Sequence, residues 1–170
     1  MPFLAFGPLL GAVRSGSMIP FTEDADIGYV GEMITPDALR LALQRKGYHM
    51  FIWRVCVAPT NPLAGHLYDP NLPITRNFAV PYVDLYKMEQ TDNGDWNLEG
   101  LEGSNGSSIL PGSKVQPFSQ VMINGMKFDT VKDPRFFLQN YVLNFLMREA
   151  YGDDYMIPKP RSPQLSSDVN

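Results

Sequence analysis

The sequence predicts an α+β domain in which helices flank a mixed β-sheet. Three observations predict it. Helical and strand-like stretches alternate from Pro8 to Val57, in the order helix, strand, helix, strand. A hydrophobic share of 44% over 170 residues fills one core, so one domain is the default, placed at residues 1–158 with a tail at 159–170. Asn124-Gly125 between two β-prone runs is a strong hairpin signal.

Each element has a local reason. Met1 to Phe6 is apolar and short. Pro8 to Val13 reads as a helix, with Pro8 suited to its first position and Gly16 near its end. Asp24 to Val30 reads as a strand. Thr35-Pro36-Asp37 opens a second helix with an N-cap, a proline at N1 and an acid in the first turn, and Arg45-Lys46-Gly47 closes it. Tyr48 to Val57, rich in aromatic and β-branched residues, reads as one strand. Ala58 to Asn77 carries four prolines and is too long for a passive connection, so a substrate-facing loop is expected.

Ala79 to Met88 reads as the next strand, with Asp84 between Val83 and Leu85. A charge in such a strand is costly unless it is paired or ligating. Thr91 to Asp95 forms a turn into Trp96 to Leu98, and Glu99 to Ser108 is a flexible, glycine- and serine-rich loop. Gln120 to Ile123 and Met126 to Val131 form the hairpin around Asn124-Gly125. Asp133-Pro134 starts a helix to about Ala150, apolar along Phe137, Leu138, Tyr141, Val142, Phe145 and Leu146, and Gly152 ends it. The residues after Pro158 have no core pattern.

Composition excludes several functions. A formal net charge of −4 without a basic run argues against nonspecific nucleic-acid binding. The single cysteine, Cys56, excludes an intrachain disulfide and a cysteine-rich zinc site, and neither His49 nor His66 has a ligand-spaced partner. No apolar run is long enough to span a bilayer, so the chain as written is expected to be soluble.

The chemistry gathers between Phe6 and Ile27. Asp24 and Asp26 stand two apart, so on a strand both carboxylates share a face while Ala25 and Ile27 are expected to turn into the core. Two aligned carboxylates repel each other unless a divalent cation lies between them; two solvated acids on a surface turn are the plain alternative. Gly7 permits a tight turn, and the N–H groups of the helix start after it attract an anion. Arg14 reads either as a guanidinium reaching a phosphate or as a cation at the helix C-terminus. Gly11 serves either close backbone approach or packing. Glu23 is a second metal ligand, a base or a solvated loop acid.

The pattern Gly7-x-x-Leu10-Gly11-x-x-Arg14, then Ile19-Pro20, then Asp24-x-Asp26-Ile27 resembles the signature of the LicD and fukutin-related family. The likeness returns at Tyr82-Val83-Asp84-Leu85, Ile109-Leu110-Pro111 and Tyr151-Gly152-Asp153-Asp154-Tyr155-Met156. It implies a nucleotidyltransferase-like fold and a transferase that moves phosphocholine or ribitol phosphate from a CDP-linked donor to a glycan hydroxyl. It further implies Mg²⁺ or Mn²⁺ on Asp24, Asp26 and Asp84, donor phosphates on Gly7, Gly11 and Arg14, and Asp84 or Glu23 as the proton acceptor. The compartment implied is the secretory pathway for a longer eukaryotic chain and the cytoplasm for a bacterial one.

The sequence departs from the family at Pro8, where a hydroxyl residue is frequent, and in having six residues ahead of the glycine turn where a helix is usual. A piece of a longer protein or a degenerate copy is expected on that ground. A noncatalytic module that binds nucleotide or glycan is the second reading, and transfer of a nucleoside monophosphate is the third.

Overall fold

A computed structural model describes the chain outside residues 21, 32–34, 66, 69–70, 72–78, 100–108, 140–146 and 159–170. The expected α+β fold is observed. Among the described residues, seven strands form one mixed sheet, with a separate two-stranded hairpin and helices on its flanks. The sheet order is β1 (Pro2–Leu4), β2 (Asp24–Val30), β5 (Tyr82–Gln90), β4 (Arg54–Val57), β3 (Tyr48–Phe51). β6 (Trp96–Leu98) pairs with the far end of β5, and β7 (Ile109–Leu110) with β6.

Helix α1 (Phe6–Ser15) begins two residues before the proline predicted to start it. Ala5 is extended and Phe6 takes φ +40°, a left-handed turn that leads straight from β1 into the helix. The apolar stretch before Gly7 thus supplies an edge strand, antiparallel to β2. Gly16 ends α1 in the left-handed conformation, as a terminal glycine should. Leu9 and Leu10 are fully buried with Phe137 of the helix Pro134–Gln139 and the rest of the main core.

Helix α2 (Pro36–Arg45) has the predicted cap, with the Thr35 hydroxyl accepting from the Ala38 N–H. The single strand expected over Tyr48 to Val57 is instead a hairpin of β3 and β4 around Ile52-Trp53. Ile52 takes φ +54°, which a β-branched residue rarely adopts, so the usual Gly or Asn signal for such a turn was missing. The β8 (Ser119–Ile123) to β9 (Met126–Thr130) hairpin does carry that signal. Asn124 and Gly125 both have positive φ, as a two-residue type I′ turn requires.

The predicted C-terminal helix is seen over Pro134–Gln139, capped by the Asp133 carboxylate on the Phe136 N–H, and residues 147–151 are also helical. Tyr141, Val142, Phe145 and Leu146 lie outside the described residues, as do parts of the Pro-rich loop (66, 69–70 and 72–77), the loop after Glu99 and the 159–170 tail.

A second correction concerns which face of β2 meets the core. Ala25 and Ile27 are half-buried and stand apart from the main apolar cluster, whereas Asp26 is buried. The face bearing Asp24 and Asp26 continues into Gly28 and Val30, and Gly28 lies directly under the Phe3 ring. A Cβ on Gly28 would fall 2.1 Å from that ring, so the core covers the same face that carries the acids.

Candidate metal centre

Strand register assembles the site. β2 and β5 run parallel, with Asp24 opposite Tyr82, Asp26 opposite Asp84 and Gly28 opposite Tyr86. Alternation therefore puts Asp24, Asp26 and Asp84 on one face, and one oxygen from each carboxylate lies within 4.8 Å of the others. Three oxygens at this spacing suit a hard divalent cation, which takes oxygen ligands and is commonly held by carboxylates.

The three acids are treated unequally by their surroundings. Asp26 is 8% exposed, and burial followed by the Asp24 charge pushes its carboxyl up to about 7. The Gly7 N–H and the Tyr86 hydroxyl donate to it and act in the opposite direction, while the Asp84 charge adds to the rise. Among the described residues no Lys, Arg or His forms an ion pair with Asp24 or Asp26. A buried carboxylate without a compensating cation is the fit expected of a metal ligand.

Asp84 differs. Arg54, its neighbour across the β4–β5 ladder, donates from Nε to Oδ1 at 2.8 Å and from Nη2 to Oδ2 at 3.0 Å. The guanidinium also lies 3.9 Å from the centre of the Tyr82 ring. This bond to Asp84 raises the Arg54 pKa above its ordinary value. Sequence reasoning missed Arg54 because its role exists only once β4 lies beside β5.

The other expected site residues separate. Gly7 is brought to the acids, and its N–H, expected to face a phosphate, donates to Asp26. A Cβ there would lie 2.9 Å from the Tyr151 hydroxyl, which would have to give way, and at ordinary contact distance, 3.7 Å, from Asp26. Gly11 instead backs onto the chain after α1, with Ser17 O 2.4 Å from a Cβ position and Ile19 next to it. Arg14 donates from Nη1 to the Tyr155 carbonyl at 3.0 Å, tying α1 to the C-terminal Tyr-Gly-Asp segment. Glu23 is exposed and outside the three-acid group. Tyr86 and Tyr151, also missed, reach the site from a neighbouring row of β5 and from the C-terminal region.

Beside the acids the sheet opens. β4 pairs with the start of β5 and β6 with its end. The cleft between them measures about 410 Å³ and is lined by Phe51, Trp53, Leu85 and Tyr86, with Arg54 and Asp84 at its polar side. An apolar pocket with a few convergent polar groups is the usual form of a small-molecule site. No helix among the described residues is long and apolar enough to cross a membrane.

No curated protein matches the chain. Residues 2–130 match the family model described as LicD/FKTN/FKRP, nucleotidyltransferase domain, a span that includes β1 through β9 and all three carboxylates. The chain therefore belongs to the LicD/FKTN/FKRP nucleotidyltransferase-domain family.

Proposed function

We propose that this chain is a metal-dependent transferase that moves a phosphorylated alcohol, of the phosphocholine or ribitol phosphate type, from a CDP-linked donor to a glycan hydroxyl and releases CMP. The observation that carries the reading is the convergence of Asp24, Asp26 and Asp84 within 4.8 Å on one sheet face, in a member of a transferase family. Those three residues would hold Mg²⁺ or Mn²⁺. Bound there, the ion supplies charge neutralisation at the reacting phosphate and at the departing CMP.

The chain's own residues do the positioning. Gly7 and Tyr86 fix the Asp26 carboxylate by hydrogen bonds, and Arg54 fixes Asp84. Both ends of the acid row are thus held before substrate arrives, which is where catalysis by positioning comes from. The cleft at Trp53, Leu85 and Tyr86 gives the apolar part of a substrate a place beside the acids. Since both Asp84 oxygens accept from Arg54, exposed Glu23 is the freer of the two carboxylates proposed to take the acceptor proton.

The test is calorimetric titration of CDP with and without Mn²⁺, followed by CMP release from CDP-choline and CDP-ribitol. Metal-dependent binding and turnover are expected, and Asp24→Asn should lower turnover by about a thousandfold, the scale of losing a main electrostatic contact. A folded wild type that binds CDP equally well without metal, and whose binding ignores Asp24→Asn, would instead be the noncatalytic module.

A further inference from the structure

The geometry points to choline as the alcohol the donor carries, because the cleft beside Asp84 is a seat for a quaternary ammonium group and a poor one for a polyol. The inference rests on the transferase reading above and chooses between its two donors. A head group hangs from the reacting phosphorus by a few bonds, so it lies next to the acids. One cavity that reaches them, of about 510 Å³, touches Asp24 and is otherwise lined by uncharged side chains. The other is the cleft of about 410 Å³ at Asp84. There Phe51, Trp53 and Tyr86 supply three aromatic rings, and Glu99 supplies a carboxylate outside the three-acid group.

The β5 backbone fixes how those groups stand. On one side of the gap the Leu85 N–H donates to the Trp53 carbonyl at 2.9 Å, and on the other the Glu99 N–H donates to the Lys87 carbonyl at 2.9 Å. Leu85 and Lys87 are two residues apart, so Trp53 and Glu99 are held along one edge of β5 with their backbones about 7 Å apart. A cation between them comes within the roughly 6 Å at which an aromatic ring attracts it. Tyr86 lies between them on the strand. Its hydroxyl donates to Asp26 and its ring packs 4.9 Å from Phe6, so the ring is what it offers the cleft.

Charge and hydrogen bonding both favour a cation without hydroxyls. Arg54 also lines the cleft, but its fork is spent on both Asp84 oxygens, and that pair is neutral as a unit. Lys87 pairs with Glu89, and among the described residues no Lys, Arg or His forms an ion pair with Glu99. The wall therefore carries the single negative charge of Glu99. Trp is the best aromatic partner for a cation, and aromatic walls of this kind recognise quaternary ammonium groups. Ribitol would instead set several hydroxyls against Phe51, Ile52, Trp53 and Leu85, where a hydroxyl left without a partner is costly. The methyl groups of choline need no such partner.

The experiment measures calorimetric binding of choline, of its neutral isostere 3,3-dimethylbutan-1-ol and of ribitol to the full chain in Mn²⁺, then kcat/KM for CMP release from CDP-choline and CDP-ribitol. Choline should bind about fivefold or more tightly than either neutral compound, and CDP-choline should be preferred by about tenfold or more, the scale of a desolvated cation on an aromatic wall. Trp53→Leu and Glu99→Gln should each weaken choline by about fivefold, with Mn²⁺ and CDP affinities kept within about twofold because neither side chain belongs to the three-acid group. Choline that binds no better than its isostere, or not at all, would overturn the inference while leaving the transferase reading in place. So would CDP-ribitol turned over as well as CDP-choline, or choline affinity unmoved by both substitutions. A folded wild type that turns over neither donor and binds CDP without regard to metal overturns this inference together with the transferase reading. If Trp53→Leu fails to fold, Glu99→Gln, at an exposed side chain, decides.

Discussion

The two ends of the β2–β5 ladder share strands, register and face, yet one end is a core and the other a charge cluster. At the Gly28–Tyr86 and Val30–Met88 rows the face is covered by Phe3, Phe6 and the main apolar cluster, and Met88 is 1% exposed. Two residues earlier, at Asp24, Asp26 and Asp84, three acids face one another. The comparison teaches that the apolar rows hold the scaffold while the acidic rows strain it. Burial of Asp26 costs stability in the metal-free protein, and packing a few ångströms away offsets that cost.

Substitutions at the two ends should therefore act with opposite sign. Phe137, 1% exposed and packed edge-on against Phe6 at 6.1 Å, anchors the apolar end. Phe137→Ala should destabilise by about 3–5 kcal/mol in urea unfolding. At the acidic end, Asp26→Asn should stabilise the metal-free protein. The Asp26 carboxyl ionises near its ordinary value of 3.8 in the unfolded chain and near 7 in the folded one. Below about pH 4 both states hold the proton and the variant and wild type should match. As pH rises from about 4 to 7 the unfolded chain gives up its proton first, so wild-type stability falls relative to Asp26→Asn. Above 7 the gap should level off at up to about 4 kcal/mol. Urea midpoints taken in chelator at pH 4 and pH 8 measure this, and a less stable Asp26→Asn at pH 8 would break the comparison.

The smallest expected effect lies where the two ends meet. Gly28→Ala pushes a methyl to 2.1 Å from the tip of the Phe3 ring, so that ring or the edge strand β1 carrying it must shift. A loss of about 1–3 kcal/mol is expected from overpacking. A neutral Gly28→Ala in thermal unfolding would mean that Phe3 moves freely and that the rigid floor beneath the acids is softer than the comparison requires.

Much of this was legible in the linear chain, for identifiable reasons. The N-cap of α2 at Thr35, the Asn124-Gly125 turn and the Asp133 cap depend on side chains bonding to backbone three residues away or on glycine's freedom, and local sequence carries such signals. The hairpin at Ile52 was not legible, because the positive φ falls on a residue with no preference for it. The direction of the β2 face was misread. Alternation says that Asp24 and Asp26 point together, but not toward which side the core is built.

The sequence by itself determined the alternating elements, the family signature and the shared face of Asp24 and Asp26, because each is written in spacings of two to a few residues. Only the tertiary structure decided that Asp84 stands opposite Asp26 and that Arg54 clamps it from β4. It also decided that Gly7 and Tyr86 bond to Asp26, and that Arg14 is spent on the Tyr155 carbonyl. Those partners are far apart in the chain, and strand order and register, which no local pattern encodes, bring them within bonding distance.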